Sequence, residues 1–120
     1  MKKYLAIVIL FVSFSINAQS LADKFDVKEY AKQQTEMIKS ALDLSDAMVE
    51  GLYQANLSKA YSIQKHIILF EQEGKTDGKT LKQVIKDVNV MAEKASGYED
   101  ALHHALGADK FDEYMDKFGK

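Results

Sequence analysis

A chain of 120 residues with no cysteine and no proline excludes a disulfide-stapled scaffold and leaves apolar burial as its source of stability. Its 16 basic residues are all lysine, against 18 acidic ones, for a formal net charge of −2. Without arginine's planar fork or a basic stripe, nucleic acid is not an expected partner.

The chain opens "MKKYLAIVILFVSFSINAQS", with two lysines, an apolar run from Tyr4 to Ile16, then Asn17 and Ala18 before Gln19. That is the layout of a secretory signal peptide over residues 1–18, cut after Ala18. A bilayer-spanning helix needs about 20 apolar residues, so no stable membrane insertion is expected once the signal is removed. The mature chain, residues 19–120, is expected to be one all-helical domain, periplasmic or secreted. Losing Lys2 and Lys3 moves its net charge to −4.

Helix-favouring residues run throughout the mature region, and no period-two alternation marks a strand. Gln19 to Phe25 are expected to fray. A first helix is expected from about Val27 to Leu42, capped by Asp26, with Val27, Tyr30, Ala31, Gln34, Ile38, Ala41 and Leu42 as its inner stripe. Leu44 and Ser45 form a joint in which Ser45 caps the next helix.

Two long helices follow, from about Asp46 to Glu73 and from about Lys79 to Leu106, separated by the turn "GKTDG". Their similar length, about 42 Å each at the standard rise, implies an antiparallel hairpin. Gly51 and Gly97 fall inside them, and Ser96-Gly97 is the expected kink. After Gly107 a short helix carries Phe111, Tyr114, Met115 and Phe118 on an edge that should fold back onto the hairpin. The expected fold is therefore all-α: an antiparallel hairpin of two long helices flanked by shorter N- and C-terminal helices.

The third helix gathers Leu81, Val84, Ile85, Val88, Met91, Ala92, Ala95, Tyr98, Leu102 and Leu106 on one face, with Val90 outside it. The second helix has more apolar surface than one neighbour needs. Val49, Leu52, Ala60, Ile63, Ile67 and Phe70 form its core stripe, while Leu57, Tyr61 and Ile68 form a second stripe with Tyr53 between the two. Tyr53, Leu57, Tyr61 and Ile68 are the candidate protein-binding residues. They face either another helix, a second copy of the chain or an external protein partner.

Candidate chemistry is sparse, and the chain is not expected to be an enzyme. Serines lie in caps or on polar faces without a glycine elbow or an evident base. Neither Gly-Lys-Thr at the turn has the glycine spacing of a phosphate loop. His66 sits about 25 Å along the hairpin from His103 at the helical rise. Glu99 with His103, and Asp100 with His104, are four apart on one helical face and are the candidate metal ligands; a full site needs three or four. No cofactor is expected.

Two local stretches carry a family resemblance: Leu44-Ser45-Asp46-Ala47-Met48, and Leu106-Gly107-Ala108-Asp109-Lys110 followed by Phe111 and Tyr114. With Lys32 to Met37 ("KQQTEM") and the order of the helices, the chain resembles the Spy-type periplasmic chaperones, or LTxxQ-motif proteins. In that motif threonine caps a helix and glutamine reaches back to the cap residue's amide. Ser45 keeps the first half of this chemistry, Met48 lacks the second, and Gly107 and Lys110 have neither. The resemblance implies a non-enzymatic, ATP-independent envelope chaperone or stress-response adaptor, often dimeric, binding unfolded clients. Some relatives bind metals, so the alternatives are a divalent-metal-binding envelope protein or a structural homodimer. The missing arginines and acidic balance depart from the family's basic client surface.

Overall fold

A computed structural model describes residues 20–119, so the signal peptide expected over 1–18 lies outside the described residues. The protein is all-α, with long helices flanked by shorter ones: α1 (Leu21–Lys24), α2 (Val27–Ala41), α3 (Asp46–Gln72), α4 (Leu81–Ser96) and α5 (Tyr98–Phe118). Among the described residues no helix is long and apolar enough to cross a membrane.

Helix starts follow side-chain caps. Asp26 accepts from the Glu29 amide at 3.0 Å and Ser45 from the Met48 amide at 3.3 Å, each satisfying a donor the first helical turn leaves orphaned. The expected start near Lys79 moves to Leu81. There Thr80 and Gln83 form a full capping box, Thr80 Oγ1 accepting from the Gln83 amide at 3.2 Å and Gln83 Oε1 from the Thr80 amide at 2.8 Å.

The turn is built as the sequence implies. Gly74 and Gly78 both have positive φ. The amide of Gly74 donates to the Glu71 carbonyl and that of Lys75 to the Phe70 carbonyl, the paired bonds of a Schellman stop.

Two departures shape the molecule. Gln19 to Phe25 were expected to fray, yet Ser20 caps α1, and Ala22 and Phe25 are buried against α2 and α3. The Leu21 amide also donates to Glu71 Oε2 at 2.8 Å. Burying a phenylalanine offsets the ordering of so short a segment. The third helix, expected to run to Leu106 with a kink at Ser96-Gly97, is broken outright at that point: Gly97, in a left-handed backbone (φ 64°, ψ 38°), ends α4 and starts α5. Within α5, Gly107 (φ 79°, ψ 169°) leaves helical geometry, and the arm from Ala108 to Phe118 sets off in a new direction.

Helix α3 is the spine, contacting every other helix. Around it lie two apolar clusters. One, toward the turn, holds Phe25, Val27, Ala31, Ala60, Ile63, Ile67, Val84, Val88 and Ala92; the other holds Ile38, Leu42, Leu52, Ala55, Tyr98, Leu102 and Leu106. Gly51 serves the second: a Cβ there would lie 3.0 Å from Ala105 Cβ, so the missing side chain lets α3 and α5 approach closely.

The expected faces hold in outline and fail at particular residues. On α2, Thr35 is buried while Ala41 is exposed; on α4, Met91 and Ala95 are exposed; on α3, Val49 and Phe70 are only half-buried. The break at Gly97 resets the helical phase, so α4 and α5 need not share one continuous stripe.

Candidate functional site

The four candidate residues of α3 divide into two pairs. Tyr53 and Leu57 are half-buried against the turn-side cluster. Tyr61 and Ile68 are 51% and 43% exposed, with Leu69 beside them at 42%. Seven residues apart, Tyr61 and Ile68 point the same way, about 10 Å along the helix. Helix α3 thus fills its inner faces with core and leaves an apolar ridge outside.

Between the two clusters runs a polar layer that sequence patterning did not reveal. Asn56 is fully buried and Lys59 is 4% exposed. Asn56 Nδ2 donates to Thr35 Oγ1 at 2.9 Å, Thr35 Oγ1 donates to the Ala31 carbonyl at 2.8 Å, and the Tyr98 hydroxyl donates to Asn56 Oδ1 at 2.5 Å. Three helices are joined through one amide.

Lys59 completes the layer. Its ammonium lies 3.5 Å from Glu93 Oε2, 4.2 Å from the centre of the Tyr98 ring and 5.9 Å from that of Tyr30. Asn89 Nδ2 also donates to Glu93 at 3.2 Å. Burial lowers the Lys59 pKa below its ordinary value, while the Glu93 carboxylate acts the other way. Burial likewise raises Tyr30 to about 12 and pushes Tyr98 and Tyr114 upward. No buried side-chain polar atom among the described residues lacks a partner, and such closure marks a structural network as much as a reactive one.

Beside this layer a groove of about 630 Å³ opens between the end of α4 and the arm beyond Gly107. Its walls include Val90, Leu102, Phe111, Tyr114, Met115 and Phe118, and Glu93 and Tyr98 connect it to the polar layer. The break at Gly97 and the redirection at Gly107 create it, since a straight helix would carry the arm away. Aromatic residues in the C-terminal segment were the available signal.

The candidate metal ligands lie near the groove's rim. Glu99, Asp100, His103 and His104 are exposed on the first turns of α5, and the His103 ring packs at a tilt against Phe111, centroids 4.8 Å apart. His66 is elsewhere, its Nδ1 donating to the Ser62 carbonyl at 2.8 Å. Among the described residues no three His, Asp or Glu side chains converge to hold a metal ion.

No protein-family model, curated protein or solved structure matches the chain.

Proposed function

We propose that this protein is a non-enzymatic helical binding protein of the cell envelope that engages apolar segments of unfolded or partner proteins through the outer flank of α3. One observation carries the reading. Tyr61 and Ile68 stand exposed on the outer side of a helix whose inner faces are already packed, with Leu69 beside them and Lys65 between them. An apolar ridge of this kind costs solubility unless something covers it part of the time, and exposed apolar patches commonly mark interaction sites. Tyrosine suits that duty, having an apolar body and a polar tip.

The resemblance of Leu44 to Met48 and of the helix order to Spy-type chaperones points the same way, as does the leader-like start of the chain. The acidic balance favours clients recognised by apolar contact over those held by lysine-rich surfaces.

The test is light scattering from a chemically unfolded client diluted with and without equimolar mature protein. Slower aggregation is the expected result. Unchanged aggregation at equimolar and fivefold excess, or N-terminal sequencing of the secreted form that shows residues 1–18 retained, removes the corresponding part of the reading.

A further inference from the structure

We propose that the groove between α4 and the C-terminal arm binds a small amphiphilic organic cation, a second site distinct from the ridge on α3. Its volume of about 630 Å³ falls within the roughly 300–1,000 Å³ range of small-molecule sites. The walls are largely aromatic and aliphatic: Tyr98, Phe111, Tyr114 and Phe118 with Val90 and Met115. Val90, 57% exposed, forms one lip and Met115 the other. Such walls take up a flat or branched apolar body, and aromatic faces attract a cationic head.

Charge selects the sign of the occupant. The charged groups lining the groove are Glu93, Glu99 and Asp100 against Lys94. From Glu93 to Gly119 the chain has seven acidic residues against three lysines, whereas residues 20–92 hold eleven against ten. The segment that forms most of this groove therefore carries a net −4, against −1 for residues 20–92. The positive end of the α5 dipole offsets part of Glu99 and Asp100; Asp112 and Asp116, exposed on the arm outside the lining, add to the negative field at longer range. Glu93 is engaged by Lys59 from below, leaving Glu99 and Asp100 as the free carboxylates at the rim. A half-enclosed apolar space under a negative rim concentrates cations and disfavours anions.

Tetraphenylphosphonium and tetraphenylborate, alike in size and shape and opposite in charge, test this directly by calorimetry and amide-resolved NMR titration of the purified protein. The cation is expected to bind at one site, shifting the amides of Gly97, Tyr98, Phe111 and Gly119, with the borate weaker by at least about tenfold. Glu99→Gln with Asp100→Asn should remove most of that preference, and Val90→Lys should weaken the cation alone. All three positions are exposed, so circular dichroism should stay unchanged. Tyr61→Lys with Ile68→Lys should leave cation binding intact, which keeps this site separable from the ridge. Equal affinity for both ions, shifts confined to Tyr61 through Leu69, or an undiminished preference in the Glu99/Asp100 variant would overturn the proposal.

Discussion

Asn56 on α3 donates its side-chain amide to Thr35 Oγ1 on α2 at 2.9 Å while its oxygen accepts from the Tyr98 hydroxyl on α5. A fully buried amide satisfied on both sides locks three helices in one register. Asn56→Ala strands the Tyr98 hydroxyl and opens a void, so it should lower unfolding free energy by about 2–4 kcal/mol. Tyr98→Phe should cost about 1–2 kcal/mol, and the double variant less than the sum. Urea unfolding with an unchanged m-value checks this; full additivity would show that the two residues act separately.

Lys59 and Glu93 are unequal partners, since Lys59 is buried while the Glu93 side chain is 37% exposed. Lys59→Met removes a desolvated charge and leaves Glu93 able to reach water. It should change stability at neutral pH by less than about 1 kcal/mol, or raise it. Glu93→Gln instead leaves the buried ammonium unpaired, at a cost of about 1–3 kcal/mol, the lower range reflecting solvent screening of the glutamate. Equal losses from the two substitutions in thermal or urea unfolding would contradict this ordering.

Alkaline pH separates the tyrosines from the lysine. Tyr30 is raised from 10.0 to about 12, and burial raises Tyr98 and Tyr114 as well. The folded state therefore keeps these phenolic protons when the unfolded chain has lost them. Their contribution is fully present below pH 10 and declines as pH rises above it, that of Tyr30 being lost as pH passes about 12. Lys59 has the opposite sign: its lowered pKa makes stability rise with pH until the unfolded value near 10.5. Unfolding free energy should hold or rise slightly on approach to pH 10, then fall. In Tyr30→Phe the fall above pH 10 should be shallower, with tyrosinate absorbance of the folded protein appearing one residue short.

These features were unequally legible in the sequence. Asp26, Ser45 and the Gly74–Gly78 turn mark boundaries with local chemistry, and local chemistry is readable residue by residue. Thr80-x-x-Gln83 belongs to the same kind of local signal, a capping box that moves the start of α4 from Lys79 to Leu81. Asn56 and Lys59 were not legible in this way, because a polar residue on a core face gains its meaning only when Thr35, Tyr98 and Glu93 arrive from other helices. The same holds for Phe25, whose burial depends on α2 and α3 meeting around it. The groove is hidden for another reason: the glycines mark a kink at Gly97 and a break at Gly107, but the left-handed geometry of the first and the direction the arm takes after the second are not encoded by glycine alone.

Gly97 gives a clean measure of that backbone effect. Its φ of 64° lies in the left-handed region, and a Cβ there would meet no atom within 4 Å. Gly97→Ala should therefore destabilise through backbone strain alone, by about 1–2 kcal/mol. Gly97→Asn should cost less, since asparagine tolerates this region. Straightening of the α4–α5 junction would enlarge the effect and appear as loss of the Phe111 and Tyr114 NMR contacts. Equal stability of the alanine variant would show that the left-handed backbone at residue 97 costs alanine nothing and would contradict this account.

The ridge on α3 yields the sharpest division between folding and binding. Tyr61 and Ile68 are exposed, so Tyr61→Lys with Ile68→Lys removes little native packing and should shift stability by no more than about 0.5 kcal/mol. The same pair should abolish suppression of client aggregation, because lysine ammonium groups resist desolvation under an apolar client segment. Multi-angle light scattering at matched concentration distinguishes the two kinds of cover. If the wild-type chain is a dimer that the variant turns into a monomer, a second copy occupies the ridge at rest. If both have the same mass and only the wild type protects the client, the ridge is a free client surface. A variant that keeps full protection would transfer client binding away from α3.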